Sequence, residues 1–122
     1  MHLVDSSSWI HMLRPDGNQK IRQRVEELLQ AGNACWCPII QLELWNGARG
    51  EQEKRVLRDF ESFLPELPIE KDVWQDAYKL ARASRSRGVT APATDLLIVA
   101  CAQYHHVELE HDDQYFTALL KL

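Results

Sequence analysis

Short apolar segments that each carry an acidic residue are the feature that most constrains this chain. The acids are Asp5 after residues 3–4, Glu43 within residues 39–44, Asp95 before residues 96–100, and Asp112 and Asp113 after residues 107–111. Carboxylates beside core-forming segments are held at fixed positions, so any that the fold brings together repel one another and require a cation. Mg²⁺ with oxygen ligands suits this role because it keeps positions open for substrate phosphates. Those conditions suit hydrolysis of a phosphodiester.

Apolar periodicity predicts short strands that alternate with helices. Strands are predicted at residues 3–5, 34–37 and 107–110. Helices are predicted at residues 9–13, 18–31, 38–48, 51–64, 70–86, 95–104 and 113–122. The alternation indicates an α/β fold with a parallel sheet covered on both faces. Sites in such folds lie beyond the carboxyl ends of the strands, near a switch in strand order, which is where several of the acids are expected.

Local signals refine two of these helix starts. The hydroxyls of residues 6–8 are good caps for the first helix. Thr94 is predicted to cap the helix at 95–104, which places Asp95 in its first turn. A carboxylate there is favoured by the helix dipole, by about 0.3–1 kcal/mol.

Length and composition predict one domain spanning residues 1–122. The chain is 45% hydrophobic and 26% charged, which is typical of a globular protein. No run approaches a membrane span, and residues 1–5 do not resemble a signal peptide, so the cytoplasm is the expected compartment. The three cysteines, at 35, 37 and 101, lack the spacing of a zinc site or a disulfide framework. They are predicted to be buried thiols.

The formal net charge of −4 counts mildly against a nucleic-acid binder, which is often basic. The distribution of charge matters more, because Lys79, Arg82, Arg85 and Arg87 follow one another with no acid between them. Two roles remain open for these arginines: a solvated helix face, or contact with substrate phosphates near Asp95.

Four segments resemble the acidic motifs of PIN-domain ribonucleases, and in particular the VapC toxins of VapBC toxin–antitoxin modules. They are VDSSSWI, QLELWNGAR, PATDLLIVACA and EHDDQYF, and the resemblance runs from Leu3 to about Leu120. The fourth motif departs from the family, because Tyr115 stands where a peripheral acid is common. The resemblance implies a three-layer α/β/α sandwich with a mainly parallel sheet, an endoribonuclease that uses Mg²⁺ or Mn²⁺, a homodimer, and a VapB-like antitoxin.

The site residues follow from the acids and the resemblance together. Asp5, Asp95 and Asp113 are the predicted metal ligands, Asp112 is a further possible ligand, and Glu43 is predicted to complete the site and to orient or deprotonate the attacking water. Ser7 and Thr94 are expected to orient carboxylates. His111 is a candidate substrate contact. Arg82, Arg85 and Arg87 are candidate phosphate contacts.

Other interpretations of the same residues exist. Taken singly, each acid fits a helix cap or a solvated position, and only their joint occurrence favours a nuclease. An α/β phosphatase or phosphoacceptor is one alternative, although Asp5-Ser6-Ser7 lacks the second acid of an Asp-x-Asp motif. A catalytically silent interaction module on the same fold is another.

An antitoxin segment is expected to lie against helices 7–14, 18–31 and 38–48, and Trp45 and Trp74 are expected near a dimer interface.

Overall fold

A computed structural model describes residues 1–122 and contains a three-stranded parallel sheet. The strands are β1 (His2–Val4), β2 (Ala34–Cys35) and β3 (Glu108–Glu110), in the order β2-β1-β3. Leu3 of the central strand pairs with Cys35 on one side and with Leu109 on the other. An isolated parallel bridge between Trp36 and Glu66 extends the β2 edge.

Seven helices accompany the sheet. They are α1 (Ser6–Leu13), α2 (Gln19–Gln30), α3 (Pro38–Asn46), α4 (Gly50–Phe63), α5 (Lys71–Ser86), α6 (Ala93–Tyr104) and α7 (Gln114–Leu119). The most extensive helix–helix packing joins α5 to α6 and α1 to α2. This architecture confirms the predicted α/β class with a parallel sheet. None of the helices is long and apolar enough to cross a membrane.

One cluster of 24 buried hydrophobic residues forms the core. Helix α6 lies at its centre, because residues 97–102 are all buried, as expected for a helix that is apolar almost all round. Phe60 joins two tryptophans in this core, with ring centroids 4.9 Å from Trp9 and 5.8 Å from Trp36. The three cysteines are buried and free, which confirms the prediction of buried thiols.

Several predicted boundaries were wrong. Thr94 does not cap α6, because the helix begins at Ala93, two residues before the predicted start, and Pro92 occupies the N-cap. The hydroxyls of residues 6–8 do not cap α1, because the Asp5 side chain takes that role. The last helix is shorter than predicted, with Asp113 as its N-cap rather than its first residue. The strand predicted at 34–37 keeps only Ala34–Cys35.

Two aromatic side chains of α5 lie outside the core. Trp74 is 43% exposed and Tyr78 is 55% exposed, whereas Val73 and Ala77 are buried. Successive helical residues are rotated by about 100°, so the turn that buries Val73 and Ala77 directs their neighbours outward. The two aromatic rings contact each other instead, with centroids 6.4 Å apart.

Candidate active site

The strand order places a switch point at the carboxyl end of β1. From this central strand the chain moves to β2 on one side and later crosses to β3 on the other. Asp5 follows β1 directly and Asp113 lies three residues beyond β3. Both acids therefore stand where open parallel sheets hold their sites.

Asp5 is a buried helix cap and a cleft residue at once. Its side chain is 3% exposed, and its Oδ2 accepts a hydrogen bond of 2.9 Å from the Ser7 N–H. Burial raises the pKa of this carboxyl above its usual range, and the charge of Asp113 raises it further, while hydrogen bonds from Ser7 and Ser6 oppose the shift. The capping role and a metal-binding role are compatible, because only one carboxylate oxygen faces the helix.

Glu43 projects from the middle of α3 into the same cleft. The Ser6 hydroxyl donates a hydrogen bond of 3.1 Å to its Oε1. Burial, followed by the charge of Asp5, raises the pKa of Glu43 to about 7, and the Ser6 hydrogen bond opposes that rise. A carboxyl group with a pKa near neutrality is suited to exchange protons with a substrate or a water molecule.

Asp95 lies in the first turn of α6. It is 7% exposed, and its Oδ2 has no hydrogen-bond partner in the protein. Burial, then the charges of Asp113 and Asp5, raises the pKa of Asp95 to about 6. A buried carboxylate oxygen without a partner is costly, so this atom marks a position where a cation would be stabilising.

The two adjacent aspartates after β3 occupy different environments. Asp113 lines the cleft, and its Oδ1 accepts a hydrogen bond of 2.9 Å from the Tyr115 N–H. Asp112 does not line the cleft and pairs instead with His11 on α1. The structure therefore brings Asp113, and not Asp112, to the other three acids.

The cleft formed by these acids has a volume of about 180 Å³. Its walls come from α1, α3, α4 and the first turn of α6, and α2 contributes no residue to them. Its lining is Asp5, Ser6, Ser7, Ile10, Leu13, Arg14, Glu43, Leu44, Gly47, Ala48, Glu53, Leu57, Asp95 and Asp113.

Arg14 and Glu53 belong to this cleft but were missed in the sequence. Arg14 Nε lies 3.5 Å from Glu53 Oε1, and Arg14 Nη2 donates to the Gly47 carbonyl at 3.4 Å. No motif in the sequence sets Glu53 apart from the nearby Glu51. Only the packing of α4 beside α1 separates the two, because Glu53 is largely buried and Glu51 is exposed.

The remaining predicted residues fall into two groups. Ser7 lies beside the site: its N–H holds Asp5, and its hydroxyl accepts from the Asp112 N–H at 3.0 Å. His111 also lies beside it, because its Nδ1 accepts from the Asp113 N–H at 3.3 Å. By contrast, Thr94 is exposed and donates to no carboxylate. The three arginines predicted as phosphate contacts are also exposed and line no part of the cleft: Arg82, Arg85 and Arg87.

The donor set of the cleft fits a hard divalent cation. All four acids supply oxygen, which Mg²⁺ and Mn²⁺ prefer, and the unpartnered Asp95 oxygen adds a reason for one to bind. No three His, Cys, Asp or Glu side chains are grouped closely enough in this arrangement to hold a metal ion directly. An ion in the cleft would therefore be held partly through water, and Mg²⁺ usually retains several waters.

Comparisons with known proteins agree with this geometry. Residues 2–120 match the PIN domain family. The chain is 30% identical to Ribonuclease VapC21 of Mycobacterium tuberculosis over 99 residues, which cover 79% of this chain and 72% of that protein.

Two solved structures share the fold. VapBC2 from Rickettsia felis, bound to a DNA fragment from its promoter, is 16% identical with a TM-score of 0.74, over 99% of this chain and 94% of that chain. VapC20 of Mycobacterium tuberculosis, a toxin that cleaves the sarcin–ricin loop, is 14% identical with a TM-score of 0.73, over 97% and 94%. The family resemblance carried by the four acidic motifs is thus confirmed, and this chain belongs to the PIN-domain family, among its VapC ribonucleases.

Proposed function

We propose that this chain is a metal-dependent endoribonuclease and the toxin of a VapBC-type toxin–antitoxin module. The observation that carries the proposal is the convergence of Asp5, Glu43, Asp95 and Asp113 on one cleft at the switch point of a PIN fold. The identity to a named ribonuclease supports the choice of RNA as substrate. Membership of this family also removes the reason to consider an α/β phosphatase.

Three carboxylates are assigned to hold Mg²⁺ or Mn²⁺: Asp5, Asp95 and Asp113. Asp95 is suited to direct ligation because its buried Oδ2 has no other partner. Asp5 and Asp113 each use one oxygen as a helix cap, which fixes the direction of the other. When bound, such an ion polarises a phosphoryl oxygen and lowers the pKa of a coordinated water.

Glu43 is assigned to orient and deprotonate the attacking water. In the metal-free protein, burial and the charge of Asp5 raise its pKa to about 7, and a general base must be both ionised and basic enough to accept a proton. Ser6 holds one oxygen of Glu43 in place, which leaves the other oxygen free to face the water.

An antitoxin and a second copy of the chain are the proposed protein partners. An antitoxin arginine fits the acidic cleft, because its planar fork matches carboxylate geometry and competes with metal for the same charge. The cleft walls α1, α3 and α4 are the proposed contact surface.

For the homodimer, the exposed pair Trp74 and Tyr78 is the apolar patch that we propose a second copy covers. Sedimentation at micromolar concentration tests this proposal.

The test of the proposed activity is cleavage of structured RNA by the purified chain. Activity is expected with Mg²⁺ or Mn²⁺, and none with EDTA. Asp113→Asn is the matched inactive control, and Asp112→Asn should retain most activity because Asp112 lies outside the cleft. Cleavage that survives chelation would overturn the proposal, and so would an inert wild-type chain that binds Mn²⁺, which would favour the silent interaction module.

A further inference from the structure

Asp112 is held from two sides by one face of α1. Its backbone N–H donates to Ser7 Oγ at 3.0 Å, and its Oδ2 lies 2.9 Å from His11 Nε2. Ser7 and His11 are four residues apart, so they lie on the same face of the helix. The loop that carries Asp113 is thereby tied to α1 through both the backbone and the side chain of its neighbour.

The hydrogen bonds of His11 define which ring nitrogen carries the proton. Nδ1 accepts from the Asn18 N–H at 3.0 Å, so it cannot itself be a donor in this arrangement. Nε2 must then carry the proton and donate it to Asp112. His11 therefore links the start of α2 to the loop at residues 111–113.

His11 is itself fixed by the turn that follows α1. Arg22 donates from Nε and Nη2 to the His11 carbonyl, at 3.2 and 3.1 Å. Gly17 lies so close that a Cβ there would stand 1.9 Å from the same carbonyl oxygen. The ring is therefore presented to Asp112 from a tightly packed turn rather than from a free helix end.

We propose that His11 and Ser7 are positioning residues that hold Asp113 at the cleft by anchoring Asp112. The inference rests on the proposed function, and it gives the adjacent aspartates separate roles. Asp113 faces the cation, whereas Asp112 holds the loop. Neither His11 nor Asp112 contacts the reacting atoms.

Two substitutions at position 11 separate the hydrogen-bond donor of the ring, Nε2, from its acceptor, Nδ1. His11→Gln keeps an N–H donor near the place of Nε2 and loses the Nδ1 acceptor. His11→Asn keeps an acceptor near the place of Nδ1 and loses the donor to Asp112. The proposal predicts that glutamine rescues the anchor and that asparagine does not.

The first readout is amide hydrogen exchange of residues 112 and 113 in the metal-free protein. Exchange should be faster in His11→Asn and unchanged in His11→Gln. The second readout is binding of Mn²⁺ alone. Binding is measured as the loss of the electron paramagnetic resonance signal of the free ion. The asparagine variant should bind roughly tenfold more weakly or worse, a loss typical of removing a group that orients a metal ligand.

Equal behaviour of the two variants overturns the proposal, whether both resemble wild type or both are impaired alike, because the donor would then not matter. If His11→Asn fails to fold, Asp112→Asn and Asp112→Ala replace the pair, since only asparagine keeps an acceptor for His11; the same contrast is expected. A wild-type chain that binds no Mn²⁺ would refute the proposed function, and amide exchange would still decide whether His11 anchors the loop.

Discussion

The first turn and the middle of helix α6 contrast the demands of a site with those of a core. Its first turn holds Asp95, a buried acid with an unpartnered oxygen. Its middle, residues 97–102, buries only apolar side chains and one thiol. Burial of the apolar turns stabilises the fold by roughly 25 cal/mol per Å², whereas burial of Asp95 opposes it. The helix thus carries a destabilising group on the element best able to hold it rigid.

The contrast extends to the cleft and the core as a whole. Burial raises the pKa of Asp5, Glu43 and Asp95 alike, so without a cation each ionised form is disfavoured by folding. The core cluster contains no carboxylate. Trp9 and Trp36 pack within it around Phe60, and its one conflict at this point is the buried Trp9 indole N–H, which has no hydrogen-bond partner. Substitution of a cleft acid should therefore lower activity with little loss of stability. Substitution of a core residue should lower stability with little loss of activity.

The largest effect is expected from Asp95→Asn. Cleavage should fall on the order of a thousandfold, because a metal-binding carboxylate supports several kcal/mol of transition-state stabilisation. The metal-free variant should melt at the same temperature as wild type or higher, since a neutral amide removes repulsion from Asp5 and Asp113. Single-turnover cleavage and a thermal melt measure the two quantities. A large drop in melting temperature would mean that Asp95 is structural.

The matched core substitution is Ile98→Ala, three residues along the same helix. Ile98 is fully buried, so its truncation should cost about 2–5 kcal/mol of the free energy of unfolding. Activity per folded molecule should change little, because Ile98 does not line the cleft. Chemical denaturation gives the stability, and cleavage at low temperature gives the activity. Loss of activity without loss of stability would contradict the separation of core and site.

The sequence predicted the main elements and the four acids because both depend on local patterns. Apolar periodicity located every helix to within a few residues. Asp5, Asp95 and Asp113 stand at the edges of apolar segments and so stay near the end of a strand or the start of a helix, whereas Glu43 was assigned from the family resemblance of its segment. The resemblance of the fourth motif predicted Asp113 as a ligand and Asp112 only as a further possible one, and the structure does place Asp113 in the cleft.

What could not be predicted depends on contacts between distant residues. Glu53 enters the cleft only because α4 packs beside α1, and Ser6 rather than Ser7 reaches Glu43. The bond between His11 and Asp112 spans 101 residues of sequence. Rotational position around a helix is a further limit, since a shift of one residue decides whether Trp74 is buried or exposed.

The pH dependence of stability should have opposite signs without and with metal. The pKa values of Glu43 and Asp95, raised to about 7 and about 6, mean that the folded state binds more protons than the unfolded chain between about pH 4 and pH 7. The contribution of these groups to stability is therefore present below that window and lost as the pH rises through it.

Mn²⁺ should reverse this trend, because it binds only the deprotonated acids. The rise in melting temperature that Mn²⁺ produces should grow from pH 5 to pH 8, and melts at several pH values with and without Mn²⁺ measure it. In Glu43→Gln the metal-free curve should be flatter near pH 7. A metal-induced shift that is independent of pH would argue that these carboxyls do not bind the ion.

The smallest effect is expected from Ser6→Ala, which removes a single neutral donor. The Ser6 hydroxyl lowers the pKa of Glu43 against the larger effect of burial, so its loss should raise that pKa further. The acidic limb of the pH–rate profile should move to higher pH. The rate above it should fall by at most roughly a hundredfold, because one hydrogen bond to a charged group contributes about 1.5–3 kcal/mol and each 1.36 kcal/mol is a factor of ten. Thr94→Ala is the control, since Thr94 is exposed and donates to no carboxylate. If the two variants have the same profile as wild type, Ser6 does not tune Glu43, and the raised pKa is set by burial and by the other acids alone.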